Sequence, residues 1–203
     1  MTTARTTRKT LAGRPEATSH AAIEQAAFVL FAERGFDGTT LDHIAEAVGV
    51  TRRTLFRYFA SKNDIPWGQF DRTLAGFRGM LDAQPADLPL HEAVARGVIA
   101  FNDFPADARP HHATRMRLIL ETPALRAHSA LRYAEWRGVV AAYVAERRGE
   151  PDHALVPQLL GHLALGIALT AYDQWLRQDR HDADSLLALL RAAGATLDEV
   201  YAE

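Results

Sequence analysis

The sequence predicts an all-α protein with an N-terminal three-helix domain and a larger C-terminal helical domain. Apolar residues recur at helical spacing through most of the chain, and no segment shows the alternation of a half-buried strand. We expect the two domains at residues 18–62 and 63–203. Residues 1–17 are rich in Thr, Arg, Gly and Pro, and this composition predicts a disordered basic arm.

Three short helices are predicted in the N-terminal domain. The first extends from about Ser19 to Arg34, and Gly35 after its basic last turn is a stop signal. Thr40 and Thr51 are favourable N-caps for the second and third helices. The residues expected in their shared core are Ala22, Ile23, Ala26, Ala27, Leu30 and Phe31, then Leu41, Ile44, Ala45 and Val48, then Leu55, Phe56 and Phe59.

The second and third helices have the pattern of a helix-turn-helix, with Gly49 in the tight turn between them. In such a motif the second helix enters the major groove of DNA, and its N-terminal residues reach the base edges. Arg52 and Arg53 stand at that position, and arginine can bind guanine bidentately. The alternative is that both arginines are solvated surface residues. Within this frame we predict contact with double-stranded DNA.

Other residues of this region are candidates for contacts to the DNA backbone. The Tyr58 hydroxyl and the Lys62 ammonium suit phosphate oxygens, whereas Thr40 is either a phosphate contact or a cap alone. Arg14 in the arm either belongs to plain disorder or enters a minor groove. The full set of predicted DNA-binding residues is Thr40, Thr51, Arg52, Arg53, Thr54, Tyr58, Lys62 and Arg14.

A fourth helix is predicted to join the two domains. It begins at Ser61 as cap, tolerates Pro66 in its first turn and extends to about Ala83, before the break at residues 84–89. Further helices are expected over residues 90–102, 109–121, 123–148, 155–177 and 185–201.

The last two helices predict a homodimer. The helix over residues 155–177 is apolar on nearly every side, so it must be covered on every side. One small bundle cannot hide so much apolar surface, and a second copy would. We expect Leu169 or Leu190 to lie near the centre of that interface.

Composition and charge exclude several classes. With no cysteine, the chain has no disulfide, thiol catalyst or cysteine-based zinc site. The net charge of −2 conceals a basic first part: residues 1–62 carry nine Lys or Arg against six Asp or Glu, whereas the remainder carries fourteen against nineteen. We find neither a run of ~18 apolar residues nor a secretory h-region, and therefore expect a cytoplasmic protein with no membrane contact.

The N-terminal motifs resemble those of the TetR family of transcriptional regulators. The pieces that carry the resemblance, in order, are Ala32–Phe36, Thr39–Thr40, Ile44–Val50, Leu55–Phe59 and Ser61–Lys62. The resemblance implies an all-helical dimer with an N-terminal DNA-binding domain and a C-terminal ligand-binding and dimerisation domain. It also implies a repressor that reads a near-palindromic operator and is released by a small effector.

Three body segments are similar to the branch of that family associated with the mycofactocin system: residues 62–71, 100–105 and 131–137. This similarity implies a long acyl-coenzyme A as the effector and redox-metabolism genes as the targets. The residues then expected around its apolar tail are Phe77, Phe101, Met116, Leu120, Tyr133, Trp136 and His162, each of which could instead be a core residue. Arg109, Arg115 and Arg117 are candidates for the polyphosphate.

The sequence disfavours two other functions. An all-helical enzyme is disfavoured because no nucleophile elbow, phosphate loop or metal signature is present, and we predict no catalytic residue and no cofactor. The pair His111–His112 is not expected to bind a metal, because adjacent helical residues point about 100° apart. An architectural DNA binder without effector is disfavoured by the large, acidic, apolar body.

Overall fold

The computed structural model describes residues 18–202, with side chains described for residues 18–196. Over this range the chain is helical and contains no strand, so the predicted all-α class is confirmed. The predicted basic arm and Arg14 lie outside the described residues. The helices are α1 His20–Gly38, α2 Leu41–Ala47, α3 Arg52–Leu55, a 3₁₀ helix Lys62–Trp67, α4 Phe70–Asp82, α5 Leu90–Phe101, α6 His112–Glu121, α7 Pro123–Arg148, α8 Leu155–Trp175 and α9 Ala183–Ala202.

The N-terminal helices begin and break where the sequence predicts. The Ser19 hydroxyl accepts a hydrogen bond from the Ala22 amide at 3.1 Å, and the Thr51 hydroxyl accepts one from the Thr54 amide at 3.2 Å. Thr40 caps α2 in the same way. Gly35 interrupts α1 with φ of 72°, a conformation that glycine adopts without the cost a side chain would add. Local capping chemistry therefore accounts for these boundaries.

Two residues of the predicted N-terminal core, Ala22 and Phe56, are exposed instead. Leu55 and Phe59 are buried with Ile23 and Ile44, but Phe56 is 47% exposed. Because Leu55 and Phe59 are four residues apart, they share one face of the helical segment, and the intervening Phe56 lies about 100° away. Phe56 therefore belongs to the outer surface of the domain.

The predicted continuous helix from Ser61 to Ala83 is also wrong. The segment forms a 3₁₀ helix that ends before Gly68, whose φ of 62° breaks it, and α4 starts at Phe70. The Ser61 hydroxyl does not accept from the backbone; it donates to the Asp64 carboxylate at 2.7 Å. The connection between the two domains is thus a jointed segment rather than a rod.

The C-terminal domain is built on the packing of α7 against α8, with α4, α5 and α9 around them. Its largest fully buried side chains include Phe77, Leu81, Val140 and Trp175. Leu190 is 3% exposed in this core, and Leu169 faces a cavity described below. Leu190 is therefore not available for the dimer interface predicted for it, whereas Leu169 is only partly buried and its place in that interface stays a prediction.

Helix α8 is long and apolar enough to span a membrane, the one helix in the described part of the chain with that property. This corrects the expectation that no such segment exists. A single helix of this kind is weak support for a membrane, because the core helices of globular proteins have the same composition. Here α8 packs along α7 and α9, while a third of its most apolar stretch is buried within the chain.

Candidate functional site

An exposed cationic and aromatic surface surrounds α3. Arg52, Arg53, Phe56 and Arg57 are all exposed. The Arg52 guanidinium lies 5.6 Å from the centroid of the Phe56 ring and 3.5 Å from the Asp42 carboxylate. Sequence reasoning missed Phe56 and Arg57 as surface residues here, although the four-residue spacing of Leu55 and Phe59 was the available signal. The arrangement presents three guanidinium groups and one aromatic face to solvent.

Tyr58 and Lys62 make contacts within the chain that sequence reasoning did not foresee. The Tyr58 hydroxyl donates to the Thr18 carbonyl at 2.6 Å. The Lys62 ammonium donates to the carbonyls of Phe36 and Thr39 at 2.7 and 2.8 Å and lies over the Phe36 ring. An ammonium has three N–H donors, so Lys62 keeps at most one for a phosphate. Lys62 is therefore a residue that fixes the end of α1.

A cavity of about 620 Å³ lies in the C-terminal domain beside the 3₁₀ helix. Four of the residues expected around a ligand line it: Phe101, Met116, Tyr133 and Trp136. The other lining residues are Glu24, Pro66, Trp67, Gly68, Gln69, Phe70, Arg72, Thr73, Asn102, Phe104, His112, Arg115, Ile119, Leu165, Ala168, Leu169 and Tyr172.

Three of the expected ligand residues do not line this cavity. Phe77 is completely buried behind it, stacked on Trp136 with ring centroids 4.9 Å apart. Leu120 packs against the core but not on the cavity. His162 is exposed, and its Nδ1 donates to the Gln158 carbonyl of its own helix at 2.8 Å. The cavity face of α8 comprises residues at a different helical angle, such as Leu165 and Tyr172.

One wall of the cavity is a chain of hydrogen bonds. The Tyr172 hydroxyl donates to Asn102 Oδ1 at 2.7 Å, and Nε2 of His112 lies 2.7 Å from the same hydroxyl. Burial, with a smaller contribution from the positive charge of Arg115, lowers the pKa of His112 to about 4. Burial also raises the pKa of Tyr172. At neutral pH this wall is therefore polar but uncharged.

A residue of the N-terminal domain forms part of the cavity wall. Glu24 of α1 is 8% exposed, and its carboxylate accepts a hydrogen bond from the Arg115 guanidinium of α6 at 2.6 Å. The same guanidinium donates to the Pro66 carbonyl in the 3₁₀ helix. A β-carbon added at Gly68 would lie 3.1 Å from the Glu24 carboxylate. The two domains and their connection therefore meet at the cavity.

A second polar contact joins the 3₁₀ helix to α7. The Asp64 carboxylate, 8% exposed, accepts from His128 at 2.9 Å and from Arg132 at 2.7 Å. Burial opposes ionisation of Asp64, but hydrogen bonds from Ser61, Arg132 and His128 outweigh it and lower the pKa of the carboxyl. This contact joins the 3₁₀ helix to α7, whereas Arg115 joins the same helix to α6.

The three arginines predicted to bind a polyphosphate already make other contacts within the chain. Arg115 is held by Glu24 and Pro66, and Arg117 is paired with Glu121. Arg109 donates to its neighbouring backbone. Arg72, which sequence reasoning missed, is exposed on the cavity wall and makes no ion pair with the described residues.

No metal site is present in the described range: residues 18–202 contain no group of three or more His, Asp or Glu side chains placed to hold an ion. His111 and His112 point apart, the former near Arg109 and the latter toward Tyr172. The chemistry available here is binding of an apolar molecule with a few hydrogen-bonding groups.

Comparison with known proteins decides the family. Residues 23–65 match the model of the tetR family of bacterial regulatory proteins, and residues 88–202 match the MftR C-terminal domain. A protein of Mycobacterium tuberculosis proposed as the mycofactocin biosynthesis transcriptional regulator MftR is 43% identical over 94% of this chain and 93% of its own. The chain belongs to the TetR family of transcriptional regulators.

Solved structures of the family share the fold. FadR from Bacillus subtilis in complex with stearoyl-CoA aligns with a TM-score of 0.58 at 20% identity, over 88% of this chain and 97% of its own. FadR from Thermus thermophilus in complex with lauroyl-CoA aligns with a TM-score of 0.53 at 21% identity, over 86% and 93%. Members of the TetR family are DNA-binding regulators rather than enzymes, and dimers and repressors are typical among them.

Proposed function

We propose that this TetR-family regulator is a homodimeric repressor that a long-chain acyl-coenzyme A releases from a near-palindromic operator. Regulators that act on chromosomal DNA work in the cytoplasm. The observation that carries the proposal is the composition of the cavity wall, which combines an apolar lining with Glu24 of the DNA-binding domain. A ligand in this cavity would touch both domains at once.

The DNA-binding part of the proposal rests on the surface around α3. Arg52 and Arg53 start the helix that would enter the major groove, with the caps Thr51 and Thr40 and the Thr54 side chain beside the same groove. Bidentate arginine–guanine contacts give ~1–3 kcal/mol of discrimination each. The exposed Arg57 would add a phosphate contact, while Tyr58 and Lys62 would act mainly by holding the domain in shape.

The acyl-CoA part of the proposal rests on the volume of the cavity, on its lining residues and on the ligands bound in structurally similar proteins. A volume of about 620 Å³ falls within the range of ~300–1,000 Å³ typical of ligand pockets. Phe101, Met116, Trp136 and Leu165 would surround an acyl chain. The two FadR structures contain acyl-CoA thioesters of different chain length. Arg72 would meet the phosphates of coenzyme A outside the cavity, in place of the three arginines that the sequence suggested.

The release step would act through the joint between the domains. Trp67, Gly68 and Phe70 line the cavity and also belong to the segment that connects the two domains. An effector shifts the conformational equilibrium only by its difference in affinity for the two arrangements, typically ~1–3 kcal/mol. Glu24 and Arg115 form part of the cavity wall. An acyl chain that separates these two side chains would therefore favour an arrangement in which the DNA-binding domains are displaced.

The dimer part rests on α8. Leu155 and Leu159 are 80% and 49% exposed, at successive turns of a helix that is otherwise strongly apolar. The groove between α8 and α9 combines the apolar side chains of Leu163 and Ile167 with the small residues Gly166 and Ala193, which would permit close approach of a second copy. Two copies related by a two-fold axis would present two recognition helices roughly 34–36 Å apart, one turn of DNA.

A chain-length titration tests the proposal. Operator DNA is first selected from a random pool, and its release from the protein is then followed by mobility shift with acyl-CoA of increasing length. Each buried methylene contributes ~0.8 kcal/mol, so release should strengthen with length until the cavity is filled. Equal release by free coenzyme A would point to charge competition, and no release at any length would remove acyl-CoA as the effector.

A further inference from the structure

One hydrogen-bond acceptor in the cavity wall has no hydrogen-bond partner among the described residues. Asn102 Nδ2 donates to the Val98 carbonyl at 2.8 Å, which directs Oδ1 toward Tyr172. The Tyr172 hydroxyl has one proton, and it is donated to Asn102 Oδ1. Nε2 of His112 lies 2.7 Å from that hydroxyl oxygen, so Nε2 must carry the proton of that contact.

This chain of donors fixes the tautomer of His112. A neutral imidazole has one N–H and one bare nitrogen, and the low pKa of about 4 keeps the ring neutral at pH 7. With the proton on Nε2, Nδ1 is a bare acceptor. Nδ1 makes no hydrogen bond to residues 18–202, and it is not one of the side-chain atoms that packing seals completely.

The position of the ring directs this acceptor to a ligand. His112 lines the cavity, stacked on Phe104 with ring centroids 4.1 Å apart. The ring is thus held on two sides, by Phe104 and by Tyr172, and cannot turn freely to find another donor. Water can reach Nδ1 in the free protein, but a ligand that displaces this water without offering a donor would leave the acceptor unpaired, at a cost of ~1–3 kcal/mol that a ligand donor avoids.

We propose that the effector carries a hydroxyl group on its apolar chain and that this hydroxyl donates a hydrogen bond to Nδ1 of His112. The inference rests on the proposed acyl-CoA effector and adds a chemical class to it, a hydroxylated acyl chain. A ketone at the same position would set a second acceptor against Nδ1 and is disfavoured. The Tyr172–Asn102 pair is what selects hydroxyl over ketone, because it holds the proton of His112 on Nε2.

The test measures binding by calorimetry without DNA. The probes are acyl-CoA of one length in four forms, saturated, hydroxylated, methoxylated and ketonic, with the oxygen placed near the thioester, at mid-chain or near the terminus. At one position the hydroxylated chain should bind roughly five- to tenfold more tightly than the methoxylated chain, which keeps the oxygen but lacks the donor. If water rather than the ligand hydroxyl pairs with Nδ1, the hydroxylated and methoxylated chains will bind equally tightly at every position. That result would overturn the inference.

Two variants assign the effect to His112. In His112→Phe the ratio of hydroxylated to methoxylated affinity should fall to about one, whereas the matched control His153→Phe, at a strongly exposed histidine outside the cavity, should retain the preference. In Tyr172→Phe the proton can move to Nδ1, so the ketonic chain should gain affinity relative to the hydroxylated one. A hydroxyl preference that persists in His112→Phe would overturn the assignment.

The outcomes separate this inference from the proposed function. If saturated chains bind and release the operator but hydroxylation gives no gain, the proposed effector class stands and only the inference is wrong. If no acyl-CoA of any form binds, both are wrong. Should His112→Phe lose its helical signal in circular dichroism, Tyr172→Phe decides the question, because a structural defect would weaken all four probes together rather than exchange their order.

Discussion

The Glu24 carboxylate and the Arg115 guanidinium, which belong to different domains, form a hydrogen-bonded ion pair at 2.6 Å in the wall of the cavity. Both side chains are largely shielded from water, with exposures of 11% and 19%. Glu24 therefore lines the cavity and also joins the DNA-binding domain to the C-terminal domain.

Glu24→Gln should weaken this contact while keeping its shape. Hydrogen bonds to charged groups contribute ~1.5–3 kcal/mol, so we expect a loss of that order in the free energy of unfolding, measured with urea. The variant should also show a smaller effect of effector on operator affinity. The matched control is Asp82→Asn, which breaks the exposed Arg78–Asp82 pair and should cost at most ~0.5 kcal/mol. Equal losses in the two variants would show that the Glu24 pair has no special role.

Lys62→Ala should differ in kind from Arg52→Ala and Arg53→Ala. Lys62 binds two carbonyls at the end of α1, so its loss should lower the melting temperature and weaken binding to every DNA sequence. The two arginines make few contacts within the chain, so at least one substitution should relax the selected operator sequence and leave the melting temperature nearly unchanged. A change in sequence preference in Lys62→Ala alone would contradict the proposed docking.

Stability should fall between neutral pH and pH 4 because of His112. Its pKa is near 6.5 in an unfolded chain and about 4 in the folded one, where burial and then Arg115 disfavour the charged form. The unfolded state therefore binds the extra proton first, and the stabilisation present above pH 6.5 is lost as the pH falls toward 4, by roughly 3 kcal/mol in total. Urea unfolding at several pH values measures this slope. His112→Phe should flatten it, and an unchanged slope would assign it to other groups.

Leu159→Glu should weaken the dimer. The side chain is exposed on α8 in the single chain, and burial of a carboxylate against a second copy is costly. Light scattering after size exclusion should show a dimer for the natural chain and a shift toward monomer for the variant. Leu131→Glu on α7 is the matched control, since Leu131 is also strongly exposed but lies off α8. A stable monomer of the natural chain at micromolar concentration would contradict the dimer.

The helix-turn-helix could be predicted from sequence because its signals are local. The caps Thr40 and Thr51 and the stop at Gly35 act within four residues of their own positions. The break after the 3₁₀ helix was harder to predict. Pro66 is compatible with a helix start, and only the positive φ of Gly68, set by the packing of the connection against α1, separates the 3₁₀ helix from α4.

The cavity was predictable only in part. The family resemblance suggested Phe101 and Trp136, which line the cavity, but it also suggested Phe77, which packing places behind them. Glu24 and Arg115 are 91 positions apart, and no local pattern joins residues at that separation. The sequence argues against a metal at His112 but does not indicate its contact with Tyr172, which lies 60 positions away.

The central claim is that the cavity and the DNA-binding surface are thermodynamically linked, and reciprocity tests it most directly. The affinity of the effector is measured for the free protein and for the protein saturated with operator. Thermodynamic linkage predicts that operator weakens effector binding roughly 5- to 150-fold, by the same factor with which effector weakens operator binding. Equal effector affinity for the free and operator-bound protein would contradict it.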